Sequence, residues 1–137
     1  MRKEIKLKNQ VGELVHVARF IEEIGKELGL GMELMKDLNL VMEEMVSNII
    51  FYAYPEKSEA TIELAAECDG KELTFLLSDY GRKFDPTQKD DPDLDVNPAE
   101  REIGGMGIYI VRSLMDNVTY QRLGDKNLLT LKKAIVS

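Results

Sequence analysis

The sequence predicts a two-layer α/β sandwich of α+β class, in which helices cover one face of a mixed, mostly antiparallel sheet. Three observations predict it. Short stretches at 3–8, 60–68, 72–79, 118–123 and 128–134 alternate apolar and polar residues, the period of half-buried strands. The turn pairs Asp69-Gly70 and Gly124-Asp125 join four of these stretches as hairpins. Longer stretches repeat their apolar residues at helical spacing, giving the order β-α-α-β-β-loop-α-β-β.

The elements follow in order. In the first strand Ile5 and Leu7 share one side, with charges between them. From about residue 10 to 28, Val11, Leu14, Val15, Ala18, Ile21, Ile24 and Leu28 recur at helical spacing, with Asn9 as a cap before them and Gly29 and Gly31 ending the run. A second helix is expected from about 32 to 53, stopping before Pro55. Ile62, Leu64 and Ala66 line one face of the next strand, and Leu73, Phe75 and Leu77 do so in its hairpin partner. Residues 80–103 differ in kind, with three prolines, many aspartates and few apolar residues. A connection of about 20 residues inside a compact domain is uncommon and usually functional. A third helix begins near Gly105 with Ile108, Ile110, Val111, Leu114 and Met115, and two strands close the chain.

The totals exclude several classes. With 137 residues, no repeat and no dividing linker, one domain spanning 1–137 is expected. Apolar residues at 44% and charged residues at 31% give a globular balance. A net charge of −7 argues against direct nucleic-acid binding, which needs a clustered basic face. One cysteine, Cys68, and one histidine, His16, rule out an internal disulfide and a His/Cys zinc site. His16 reads as a surface or interface residue. No apolar run reaches the length of a membrane span, and MRKEIKLKNQ has no signal-peptide block, so a cytoplasmic location without membrane attachment is expected.

Three segments carry chemistry. On the second helix the apolar side chains fill an arc of roughly 140°, and Glu44 and Asn48 are neighbours at its rim, Asn48 about 20° from Val41. There Glu44 can act as a general base, and the Asn48 oxygen is a hard ligand suited to magnesium. The alternative is a solvated polar face shared with Glu33 and Asp37. In the segment SDYGRKFDP, Asp79 continues the alternation of Leu73, Phe75 and Leu77 and so points inward at the strand's end. A buried carboxylate needs a partner, and the exocyclic amine of a purine is one. Gly81 lets the backbone pass close to a flat ring. An Asx turn that ends the strand is the alternative. Third, Gly104-Gly105-Met106-Gly107 opens directly into a helix, whose N-terminus suits phosphate. It is neither a Walker loop nor a dinucleotide fingerprint.

The set is more specific than its parts: a Glu-x-x-x-Asn helix, Asp-x-Gly about 30 residues later, and Gly-x-Gly about 25 further on. It resembles the GHKL, or histidine kinase-like, ATPase superfamily with its Bergerat ATP-binding fold. The segments EEMVSNIIFYAYP, SDYGRKFDP and GGMGIYIVRSLMDNV look most like the branch of anti-sigma factor serine/threonine kinases.

That resemblance implies residue roles. Glu44 would orient or deprotonate the attacking hydroxyl, and Asn48 would ligate Mg2+. Asp79 would accept the adenine amine, with Gly81 and Phe84 beside the base. Gly105, Met106 and Gly107 would wrap the phosphates of ATP, with Gly104 as the hinge of a lid at about 85–103. The implied function is a protein kinase that sequesters a sigma factor and phosphorylates a STAS-domain anti-anti-sigma partner, as a homodimer. A non-catalytic ATP-sensing switch, or a plain ATP-hydrolysing domain, would use the same set. The chain departs from the family pattern in three places: Lys83 stands where Gly or Pro is usual, Arg101 and Ile103 offer no clear basic residue before the glycine box, and the residue supporting Asp79 is either Asn127 or Thr130.

Overall fold

The computed structural model describes residues 1–54, 60–88 and 105–135, apart from the side chains of Gly105 and Met106. The strands are β1 (Arg2–Lys8), β2 (Thr61–Cys68), β3 (Glu72–Asp79), β4 (Asn117–Leu123) and β5 (Lys126–Ala134). The helices are α1 (Leu14–Leu28), α2 (Met32–Asn48) and α3 (Gly105–Leu114). The sheet runs β1-β2-β3-β5-β4, and all four pairings are antiparallel. The predicted order of elements is the observed one. Gly104, Arg101, Ile103 and the lid residues 89–103 lie outside the described residues.

Alternation along the strands builds the core. Register stacks Leu64 against Leu77 and Leu77 against Leu129, while Phe75 meets Ala66 and Leu131. These side chains are buried with Ile24, Leu38, Met42 and Met45 from the helices. Each such Leu or Phe contributes about 1.5–3 kcal/mol by leaving water.

Three local expectations are corrected. A 3-10 turn at Val11–Glu13 precedes α1, and Asn9 does not cap it. Its Oδ1 is buried without a hydrogen bond among the described residues, while Glu13 Oε1 accepts from Lys8 N over 2.8 Å. The buried face of α1 is Val17, Phe20, Ile21 and Ile24, so Val11, Val15 and Ala18 face out. Two apolar stripes compete on this helix, and Phe20, the largest side chain, takes the core. The second helix does not stay α-helical to its end: from Ile49 to Ala53 it widens into a π turn. The Ile49 N–H is already shared between the Met45 and Val46 carbonyls. Widened turns of this kind are frequent at functional sites.

Candidate functional site

Asp79 is the last residue of β3 and is 2% exposed. The register that places Leu77 on Leu129 brings Asp79 opposite Asn127 at the start of β5. Asn127 Nδ2 donates to Asp79 Oδ1 over 2.9 Å, and Gly81 N donates to the same oxygen over 2.8 Å. The second bond is the Asx turn expected as an alternative, so Asp79 ends the strand and is buried as well. Both bonds fall on Oδ1. Burial pushes the Asp79 carboxyl above its ordinary value, while the bonds from Asn127 and Gly81 and the nearby Arg122 charge pull it down.

Asn127 is therefore the residue that supports Asp79. Thr130 pairs with Leu76 and lies on the opposite face of the sheet.

The segment after Asp79 is tied to the end of α2's π turn. Arg82 N donates to the Ala53 carbonyl over 2.8 Å, and Arg82 Nε donates to the Tyr52 carbonyl over 2.7 Å. These contacts satisfy carbonyls that a helix terminus leaves open. Gly81 is buried against the same turn, where an added Cβ would stand 2.9 Å from the carbonyl carbon and Cβ of Ala53 and closer still to its oxygen. Ala53 thus needs the space that Gly81 leaves. Tyr54 accepts from Tyr80 N over 3.0 Å; burial pushes its phenol up, and the neighbouring Asp79 charge adds to this. Phe84 stacks on Tyr52 with ring centres 5.7 Å apart.

A cavity of about 280 Å³, partly open to solvent, lies between these groups. Asn48, Asp79, Phe84, Asn127, Tyr120 and Pro86 line it along with apolar core residues. Such a mostly apolar space with a few convergent polar groups has the lining of a site for a flat heterocycle.

The glycine box reaches the same place from α3. A Cβ on Gly107 would lie 3.0 Å from Glu44 Oε2 and 3.6 Å from Asn48 Nδ2. The first turn of α3 therefore abuts the carboxylate–amide pair of α2, and Gly107 is buried there. Glu44 and Asp37 are half-buried and Glu33 is exposed, so it is the approach of Gly107, not burial, that sets Glu44 apart on this face. Lys83 is exposed. Arg112, further along α3, donates to the Thr87 carbonyl. Among the described residues no three His, Cys, Asp or Glu side chains converge on one point. A metal beside Asn48 would then take most of its ligands from phosphate and water, as magnesium does. The donor set fits Mg-ATP: the Asn48 amide and the Glu44 carboxylate lie beside the start of α3, and the buried acid Asp79 lines the same cavity as Asn48.

Sequence reasoning missed Arg82, Tyr54, Tyr120 and Arg122. Tyr54 and Arg82 lie outside any alternating stretch, and the alternation of β4 turns Tyr120 and Arg122 inward without saying what they meet, so only their partners reveal them. No helix among the described residues is long and apolar enough to cross a membrane.

The chain matches the family model described as the histidine kinase-like ATPase domain over residues 7–133. It is 32% identical over 94 residues to the serine/threonine-protein kinase BtrW of Bordetella bronchiseptica, covering 69% of this chain and 66% of that protein. It is 27% identical over 134 residues to the anti-sigma F factor of Clostridium acetobutylicum, covering 96% of this chain and 90% of that one. Among solved structures, that of the RsbU and RsbW domains of Rv1364c from Mycobacterium tuberculosis superposes with a TM-score of 0.70 at 16% identity, a likeness of fold. The superposition spans 97% of this chain and 32% of that chain.

Proposed function

The chain belongs to the histidine kinase-like ATPase domain family, and on that premise we propose that it is an ATP-dependent serine/threonine protein kinase and anti-sigma factor. The observation that carries this reading is that Asn48, which Gly107 approaches together with Glu44, lines the same cavity as Asp79 and Asn127. The names of the kinase and anti-sigma relatives supply the reaction class.

In this reading Asp79 Oδ2 accepts the adenine amine and Phe84 borders the base. Asn48 holds Mg2+, which when bound neutralises phosphate charge. The amides of Gly105, Met106 and Gly107 face the phosphates at the start of α3, where the helix dipole favours an anion. Glu44 takes the proton of a partner's serine or threonine hydroxyl as that oxygen bonds to the γ-phosphorus and the bond to ADP breaks. Little more than positioning and charge neutralisation is needed, which is consistent with so few polar side chains.

The partners are a sigma factor, held while the kinase is not engaged elsewhere, and a STAS-domain anti-anti-sigma protein as the phosphoacceptor. The protein works as a homodimer in the cytoplasm. The test is incubation with γ-labelled ATP, Mg2+ and purified STAS-domain proteins of the same organism, with a sigma-factor pull-down beside it. Label on a STAS serine or threonine, lost with Glu44→Ala, is expected. Tight Mg-ATP binding and sigma-factor capture without label transfer would overturn the kinase and leave an ATP-sensing switch.

A further inference from the structure

β4 alternates half-buried Val118, Tyr120 and Arg122 with exposed Asn117, Thr119, Gln121 and Leu123. Arg122 thus occupies an inward position where an apolar residue would complete the pattern. An inward charge on an edge strand can serve only to discourage sheet-to-sheet pairing. Such a charge needs no particular partner. Arg122 instead has three acceptors. Nε donates to the Gly124 carbonyl over 3.0 Å, and Nη1 donates to the Gly81 carbonyl over 2.9 Å and to Asn127 Oδ1 over 3.1 Å. Two of the three belong to the groups around Asp79.

The consequence runs through Asn127. Its Oδ1 accepts from Arg122, from Tyr120 Oη and, at 3.4 Å, from Phe84 N. Its Nδ2 donates both hydrogens, to Asp79 Oδ1 and to the Arg82 carbonyl, the latter over 2.8 Å. Every hydrogen-bonding position of the carboxamide is taken, so Asn127 has none left for a ligand. A carboxamide rotated by 180° would set its oxygen against the Asp79 carboxylate. The donors on Oδ1 are what forbid that rotation, and Arg122 is the charged one among them.

We propose that Arg122 is a positioning residue of the nucleotide site: it fixes the Asn127 carboxamide and the Gly81 carbonyl, so that Asp79 presents a single acceptor oxygen to the base. The inference rests on the reading of the cavity as an adenine site. Arg122 itself touches no ligand in this arrangement. Its charge also favours the ionised carboxylate, the form that accepts from an amine and repels the carbonyl of guanine. Lysine would restore the charge but not the second donor nitrogen, Nε, whose bond to the Gly124 carbonyl holds the guanidinium in place.

The test compares the unaltered protein with R122M and R122K by two readouts. One is hydrogen exchange of the Asn127 side-chain amide, followed by NMR without nucleotide. The other is the dissociation constant for Mg-ATP against Mg-GTP by calorimetry. In the unaltered protein a slowly exchanging Asn127 amide and preference for ATP are expected. In R122M the amide exchanges at least about tenfold faster and ATP selectivity falls about tenfold, as loss of one charge-assisted hydrogen bond implies. R122K lies between the two. Unchanged amide exchange and unchanged selectivity in R122M would overturn the role of Arg122 and leave the adenine site standing. Failure of the unaltered protein to bind ATP would instead overturn the adenine site, and the positioning role with it, whatever the amide reports.

Discussion

Asn127 Nδ2 meets Asp79 Oδ1 at 2.9 Å, joining residues 48 positions apart and locking the end of β3 to the start of β5. The bond places a buried carboxylate at the sheet's end, with Oδ1 committed to Asn127 and Gly81, in a residue that lines the cavity. Its electrostatics set the first prediction.

Burial raises the pKa of Asp79 in the folded protein. A carboxyl raised on folding binds more protons folded than unfolded, so its contribution to stability declines as pH climbs from the unfolded pKa through the folded one. Asp79→Asn removes that charge and keeps Oδ1 as an acceptor. The variant is expected to melt at or above the temperature of the unaltered protein at pH 8. Its advantage should shrink as pH falls through the raised pKa. It should also lose ATP binding. Thermal melts at several pH values, with calorimetry at one, check both; a variant that melts lower at pH 8 than at pH 5, relative to the unaltered protein, contradicts the sign.

Glu44→Gln keeps size and hydrogen bonding but removes the base. Phosphotransfer to a STAS partner should fall by at least about a hundredfold, in the range expected for general-base loss. Mg-ATP affinity should stay within about threefold, since the uncharged amide still packs beside Gly107. Single-turnover kinetics beside calorimetry separate the two effects. A parallel loss of binding would assign Glu44 to ligand affinity.

Gly107→Ala inserts a methyl 3.0 Å from the Glu44 carboxylate oxygen. That oxygen ends a flexible side chain, so the fold should lose less than about 1 kcal/mol. The displaced carboxylate should cost phosphotransfer at least about tenfold, because misplacement of a base by a fraction of an ångström is expensive. Denaturant unfolding and kinase assays on one preparation distinguish the outcomes.

Gly81→Ala is the opposite case. Its methyl would run into the backbone of Ala53, which cannot swing aside as a side chain does. Destabilisation of about 1–3 kcal/mol is expected, as for overpacking elsewhere. Chemical denaturation measures it; stability equal to that of the unaltered protein would mean that the π turn yields without cost.

The order of elements, the inward course of β3 to Asp79 and the pairing of Glu44 with Asn48 were legible because each rests on simple periodicity. The choice of Asn127 over Thr130 was also within reach. Leu129 and Leu131 face the core, so odd positions of β5 point inward and Thr130 points away. The start of α1 was not legible, because Val11 and Val15 continue a helical stripe that the tertiary structure leaves exposed. Nor was the π turn at Ile49–Ala53. Nothing in IIFYA signals it, and its carbonyls are held by Arg82 from a segment that follows 30 residues later. Long-range partners of this sort leave no local trace.

The grip of Arg82 on the Tyr52 and Ala53 carbonyls has a mechanical corollary. The loop that would sense the base and the helix that carries Asn48 and Glu44 form one strut, welded at the widened turn. The same loop is also held by the sheet, because the Gly81 and Arg82 carbonyls accept from Arg122 and Asn127. One short segment thus pins the helical layer to the sheet at the edge of the pocket.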